Sequence, residues 1–362
     1  MQTSNIYDDE EMMGRFNLVS ASLFNFLPQI KFKEHEIIFR EILLHQKDII
    51  TNQGNFNILG KSEIIGLESV NNSYNLQQSI FCTFHIGSYR LINLFLIKNK
   101  IDYTLVVSKK LLAAQGDTFI EFYKNQNYFK EGGFDVIDAD SFTSTMNMIR
   151  HLKNGRSLLI YTDGNLGVGI DAKESRNTCL INFMSQKIYA RSGVAFLSHL
   201  LDIPIIPVFS YKNSINVDVI KFEEMLCPKK GISKSEYAHS VTSILYKKAE
   251  ELITRNPSQW EGWLYLHKIA VVEKENFRYI NKSNCNSSVN LSFNEDDFGL
   301  FKIGSNYYLF QKSGYKSYYI KEDLYKLLLE NIKYGKPIQT FDKKVLQDFV
   351  NKGVLINLHA IL

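Results

Sequence analysis

Between residues 79 and 211 the sequence alternates short, uninterrupted apolar runs with amphipathic stretches, and this alternation narrows the fold more than any other feature. Ser79–Phe84, Tyr103–Val107, Asp135–Ile137, Ser157–Thr162 and Ile203–Tyr211 read as strands. Gly87–Ile97, Thr118–Glu131 (closed by Gly132-Gly133), Phe142–Leu152 and Arg191–Leu201 read as the helices between them. A strand that is apolar at every position must be covered on both faces. The pattern therefore predicts an α/β fold, with a central, mostly parallel sheet flanked by helices. Sites in such sheets form beyond the carboxyl ends of the strands.

The flanks extend this core. Residues 1–75 read as helical, with apolar positions at helical spacing from Glu34 to Gln46, and then as a loop over Asn71–Asn75. Ser235–Arg255 is one long amphipathic helix that stops at Asn256-Pro257. Lys282–Ser288 is polar and rich in Ser and Asn, which marks a linker. Beyond it, strands are expected at Phe298–Ile303, Tyr307–Gln311 and Ser317–Tyr319, helices at Lys321–Tyr334 and Asp342–Asn351, and a last strand at Val354–Leu358. The division expected is 1–281, a linker at 282–290, and a small α+β domain at 291–362.

A net charge of +4 over 362 residues is too small to mark a nucleic-acid binder, and no basic run interleaved with aromatics is present. The cysteines Cys82, Cys179, Cys227 and Cys285 are widely spaced, with no C-x-x-C and no metal-ligand spacing. They suit a reducing cytosol, and Cys82, inside an apolar run, reads as a buried thiol. Asp8, Asp9, Glu10 and Glu11 give the start of the sequence the wrong charge for a signal peptide. No apolar run approaches the roughly 18 residues of a spanning helix. The apolar segment Phe16–Leu27 is either a helix packed on the body of the protein or one lying on a membrane surface. The expected location is cytoplasmic, with peripheral contact at the inner face of a membrane as the variant.

The chemistry centres on Thr83-Phe-His-Ile-Gly-Ser-Tyr-Arg90. His85 follows an apolar strand and precedes an expected helix, so its imidazole projects at a strand tip. The first-turn amides of that helix would disfavour imidazolium and keep a neutral base available. Acyl transfer needs such a base, to take the proton of a hydroxyl or amine as it attacks a thioester carbonyl.

Phe-His-Ile-Gly-Ser-Tyr-Arg resembles the His-Phe-Gly-Asn-Trp-Glu segment of the bacterial lipid A late acyltransferases, within the lysophospholipid acyltransferase superfamily. Further segments follow in the family's order. These are Val106–Lys110, Glu131–Ile137, Ile149–Gly155, Leu159–Asp163 and Ile181–Ser185. The longest match is Gly193–Phe209, similar to Gly-x-Ala-x-Leu-Ala…Gly-Ala-Pro-Ile-Ile-Pro-Val-Phe. Pro257–His267 is similar to the closing Pro-x-Gln-Trp-x-Trp-x-His. The resemblance covers roughly residues 15–270. It implies the acyltransferase fold and His85 as the catalytic base.

One departure stands out. In that superfamily the fifth residue after the histidine is Asp or Glu and orients the imidazole; here it is Arg90. Arginine accepts no hydrogen bond, so the dyad cannot form at this spacing. Asp163, ending the run Ser157–Thr162, is the carboxylate best placed to replace it. Arg90 is a candidate contact for the phosphates of an acyl carrier or coenzyme A. Lys109 stands where the family has an Arg, and is either a phosphate contact or a solvated charge. Trp260 and Trp263 either line an acyl pocket or pack on a core. Gly164–Gly169 is glycine-rich and reads as a loop bordering the site. No metal or redox cofactor is implied; the acyl donor, acyl-CoA or acyl carrier protein, is a co-substrate.

The lipid A enzymes normally carry a membrane-spanning helix, which leaves the acceptor open here. Tyr319–Gly335 followed by Val345–Ile356 resembles the small winged-helix peptide-binding domains of peptide natural-product pathways, which hold a peptide as an added strand. Two functions fit these observations. One is an acyltransferase acting on a peptide, a small metabolite or a lipid. The other is a catalytically degenerate relative that binds a peptide or lipid.

Overall fold

A computed structural model describes residues 5–71, 76–109, 113, 121, 133–164, 177–273, 291–338 and 342–357. The chain forms two compact units, one of Met1–Phe39 with Val272–Leu362 and one of Arg40–Val271. In chain order the main elements, a one-turn helix at Leu67–Asn71 left unnumbered, are α1 (Glu10–Phe26), α2 (Phe32–Asn52), α3 (Phe56–Lys61), β1 (Glu63–Ile65), β2 (Ile80–Thr83), α4 (Leu91–Lys98), β3 (Tyr103–Val107) and β4 (Phe134–Asp138). There follow α5 (Ser144–Lys153), β5 (Ser157–Tyr161), β6 (Thr178–Phe183), β7 (Gln186–Arg191), α6 (Gly193–Leu201), β8 (Ile205–Lys212), β9 (Asp218–Phe222), α7 (Lys234–Arg255) and β10 (Ala270–Val271). The last are β11 (Leu291–Phe293), β12 (Phe298–Ile303), β13 (Asn306–Gln311), β14 (Lys316–Ile320), α8 (Glu322–Tyr334), α9 (Lys343–Asn351) and β15 (Leu355–Asn357).

Unit Arg40–Val271 carries a seven-stranded sheet in the order β1-β9-β8-β2-β5-β3-β4. From β8 to β4 every neighbouring pair is parallel, and β9 pairs antiparallel to β8 at one side. The α/β class expected from the apolar runs is the one found. Alternate residues face opposite layers. Phe81, Leu159, Ile206 and Val208 join a buried cluster with Leu91, Ile92, Leu94, Phe95, Leu96 and Ile97 of α4. On the other face Phe84 stacks on Phe209 at 5.7 Å and meets Tyr246 of α7 edge-on at 4.9 Å. Both faces are thus covered, which is why the strands carry no polar alternation.

Two parts of the reading change. The helix expected at Gly87–Ile97 begins at Leu91, because the residues before it are held by another segment. Gly87 takes a φ of +52° and donates its N–H to the Gln259 carbonyl at 2.8 Å, and Ile86 bridges Trp260. Between the strand expected at Ser157–Thr162 and the helix expected at Arg191–Leu201, where the sequence suggests no strand, the structure holds the β6–β7 hairpin, continued antiparallel by β10. The expected helix 118–131 (residue 121 apart), the linker 282–290 and residues 165–169 of the glycine-rich loop lie outside the described residues.

The second unit pairs β11 with β15 and folds β12-β13-β14 into an antiparallel meander. Residues 1–39 group here, whereas the sequence reading attached them to the acyltransferase-like part. The reason lies in the buried polar groups of α1. Asn17 donates to the Leu300 carbonyl at 2.6 Å, and Gly299 leaves room for that side chain. Asn25 donates to the Lys312 carbonyl at 2.7 Å. Buried amides need such partners, and the meander supplies them. Phe16, Val19, Leu23 and Phe26 are buried, so the Phe16–Leu27 segment is a packed helix. Lys312 is buried too, with Nζ 2.5 Å from the Glu295 carbonyl and 4.1 Å from the centre of the Phe32 ring. Among the described residues no helix is long and apolar enough to cross a membrane.

Candidate active site

Strand register brings the two principal candidates together. β2 and β5 are adjacent and parallel, with Thr83 opposite Tyr161. His85 and Asp163 each lie two residues beyond that pair, at the carboxyl edge of the sheet. The Thr162 N–H donates to the Thr83 carbonyl at 2.8 Å and extends the pairing past the last strand residues. Asp163 Oδ1 then sits 2.8 Å from Nδ1 of His85. The His85 backbone N–H donates to both carboxylate oxygens, at 3.1 and 3.0 Å, and Nε1 of Trp260 donates to Oδ2 at 2.7 Å. The His85 backbone and the Trp260 indole are fixed N–H donors, and an ionised carboxylate completes the set by accepting from Nδ1–H of His85 as well. Its side chain is 1% exposed, while that of His85 keeps 28%.

The imidazole is held by aromatic rings. Tyr161 stacks on it at 4.7 Å, and Tyr89 meets it at 4.8 Å with an interplanar angle of 77°. The Tyr161 hydroxyl accepts from Asn93 at 3.1 Å, and Asn93 accepts from the Tyr103 hydroxyl at 3.1 Å. Burial raises the pKa of both Tyr89 and Tyr161, so they stay neutral.

Burial alone would lower the pKa of His85. The charge and hydrogen bond of Asp163, with a smaller contribution from Glu261, outweigh it and raise the pKa; Arg90 opposes them. This corrects the expected origin of the imidazole's charge state. The helix begins six residues after His85, and a carboxylate in contact, not a helix terminus, dominates. With Nδ1–H donated to Asp163, the lone pair of Nε2 is left for a proton from outside.

The remaining candidates fall in different places. Arg90 is 8% exposed and donates to Oε1 of Gln53. It faces a small cavity of about 50 Å³ lined also by Asp48, Ser88, Lys212 and Asp218. Within that lining Lys212 and Asp218 are ion-paired at 3.1 Å. Lys109 is exposed two residues past β3, at the same sheet edge as His85, and its N–H donates to Asp140 at 3.0 Å. Trp260 and Trp263 do not line an open pocket. They are 2% and 0% exposed and pack edge-to-face at 4.9 Å, and the N–H of Trp263 donates to the Pro257 carbonyl at 2.8 Å. Sequence reasoning missed Tyr89, Tyr161 and the Trp260–Asp163 bond. Only the polar tip of Tyr161 inside an apolar strand hinted at any of them.

No protein-family model matches the sequence, and no curated protein matches it. Among solved structures the chain is similar to the 1-acyl-sn-glycerophosphate (LPA) acyltransferase PlsC from Thermotoga maritima. The identity is 14% and the TM-score 0.33, over 67% of this chain and 95% of that one. Likeness of that order leaves the chemistry of the site to be argued from its own residues.

Proposed function

We propose that the protein is an acyltransferase that moves an acyl group from a coenzyme A or acyl-carrier thioester to a hydroxyl or amine. The observation that carries this reading is the His85–Asp163 contact at the carboxyl edge of a parallel sheet. Nε2 of His85 takes the acceptor's proton as its oxygen or nitrogen attacks the thioester carbonyl. The tetrahedral intermediate collapses with cleavage of the C–S bond, and the imidazolium returns the proton to the departing thiolate. Asp163 stabilises the imidazolium between these steps. Lys109, exposed at the same edge, and Arg90, if a phosphate enters its cavity, are the proposed contacts for the donor. No resident metal or redox group takes part.

A peptide is the acceptor best supported, with a small metabolite or a lipid at the inner membrane surface as the others. β14 lies at the edge of its meander and exposes Lys316, Ser317, Tyr318 and Tyr319, a site where an extended segment can add as a strand. The test is release of free thiol from acyl-coenzyme A and acyl-carrier thioesters, by wild type and His85→Ala side by side. Turnover that disappears in His85→Ala supports the reading. Absence of turnover with both donors, and with candidate acceptors added, turns it towards a binding protein that keeps the cleft without the chemistry.

A further inference from the structure

The segment 257–261 is tied to the loop after β2 by its backbone. Ile86 and Trp260 form an isolated antiparallel bridge, and Gly87 N–H donates to the Gln259 carbonyl at 2.8 Å. Glu261 N–H donates to the His85 carbonyl at 3.1 Å. The Gln259 side chain extends the tie to the end of β8, accepting from Lys212 N–H at 2.7 Å and donating to its carbonyl at 2.9 Å. From this fixed backbone the Trp260 indole enters the core, held edge-on by Phe183 at 5.6 Å and by Trp263. Its N–H reaches Oδ2 of Asp163.

An aspartate carboxylate rotates about a broad, nearly two-fold torsion. The His85 backbone N–H does not fix that rotation, because it is shared almost equally between the two oxygens. The Trp260 N–H is committed to one of them and leaves the other for Nδ1. We propose that Trp260 is a positioning residue, whose indole N–H sets the plane of the Asp163 carboxylate and thereby pins His85 in its Nδ1–H tautomer. The catalytic consequence rests on the acyl-transfer reading; the tautomer does not.

The test uses the full chain with ¹⁵N-histidine, the His85 ring signals being assigned by their loss in His85→Gln. Wild type is expected to show Nδ1–H with an unprotonated Nε2. Trp260→Phe keeps an aromatic ring and removes the donor. It is expected to shift His85 towards Nε2–H and to lower thioester turnover about ten- to a hundredfold with little change in KM, the size of one hydrogen bond to a charged group. Trp263→Phe disturbs the same aromatic cluster without touching Asp163, and should leave the tautomer as in wild type. Should Trp260→Phe fold poorly, benzothienylalanine at 260 removes the N–H at nearly constant volume. An unchanged tautomer in a folded donor-less variant overturns the proposal, as does a Trp263→Phe shift equal to that of Trp260→Phe. If the wild type turns over no thioester, the acyl-transfer reading fails while the tautomer still decides the role of Trp260.

Discussion

Asp163 meets His85 from the neighbouring strand, 2.8 Å from Nδ1 and 78 positions further along the chain. Strand register makes this contact, since both residues stand two positions beyond the Thr83–Tyr161 pair. Asparagine at 163 keeps the shape and removes the charge. Asp163→Asn is therefore expected to cut thioester turnover by about 10²–10⁴-fold. It should also move the acidic limb of the pH–rate profile to lower pH. The raised pKa of His85 keeps the ring protonated above the usual imidazole range, so wild-type turnover is expected to rise with pH through that elevated value. Without the carboxylate, burial dominates and the pKa falls. A limb that stays in place in Asp163→Asn would contradict the dyad.

Arg90 presents the opposite charge to the same ring. On the proposed reading Asp163 supplies the acid, and a carboxylate at position 90 is redundant. It would also be buried beside Gln53 with Asp163 and Glu261 close enough to act on the same groups. Arg90→Glu is expected to give no gain in turnover and to lower the melting temperature. The milder Arg90→Gln should raise the His85 pKa, read by NMR titration. A gain of acyl transfer in Arg90→Glu would mean that Asp163 does not do the work assigned to it.

Gly87 holds the loop between His85 and α4 in a conformation that only glycine takes easily. At its φ of +52°, an added Cβ would lie 2.6 Å from Cα of Tyr211 and 2.9 Å from the Ser210 carbonyl oxygen. These are backbone atoms that cannot turn aside. Gly87→Ala is expected to cost at least about 1–3 kcal/mol, measured by denaturant unfolding. It should weaken the pairing with Gln259 and reduce turnover more than the stability loss alone explains.

In the other unit, burial pushes the pKa of Lys312 down to about 7, against the partial support of Glu295. In the unfolded chain the amine titrates near 10.4. Between about pH 7 and 10 the unfolded state thus binds the extra proton, and stability rises with pH. Below about 7 both states are protonated and the dependence flattens. The apparent unfolding temperature of this unit should climb between pH 7 and 9, and the climb should be lost in Lys312→Met, followed by calorimetry. An equal slope in wild type and variant would place the effect elsewhere.

The parallel sheet was legible because strands covered on both faces must be apolar throughout, as Ile80–Thr83 and Ser157–Tyr161 nearly are. His85 was legible as a polar residue at the end of such a run. Asp163 could be named as a partner, but its contact depends on β2 and β5 being neighbours, a pairing that no local pattern specifies. The late start of α4 at Leu91 has a similar reason, since Ile86 and Gly87 are held by Trp260 and Gln259, far along the chain. The β6–β7 hairpin was the avoidable miss. Gln186–Arg191 alternates between buried and half-buried positions along its whole length. The placement of α1 was not readable, because the partners of Asn17 and Asn25 are carbonyls almost 300 residues away.

An acid five residues after its histidine would be delivered by one local turn and would exist in almost any compact state of the chain. An acid on a neighbouring strand exists only after the sheet has closed. A nascent or partly unfolded copy of this protein therefore lacks the His85–Asp163 contact, and on the proposed reading it has no oriented base to offer a thioester before the sheet is complete. A carboxylate at position 163, rather than at position 90, ties the orientation of His85 to the finished fold.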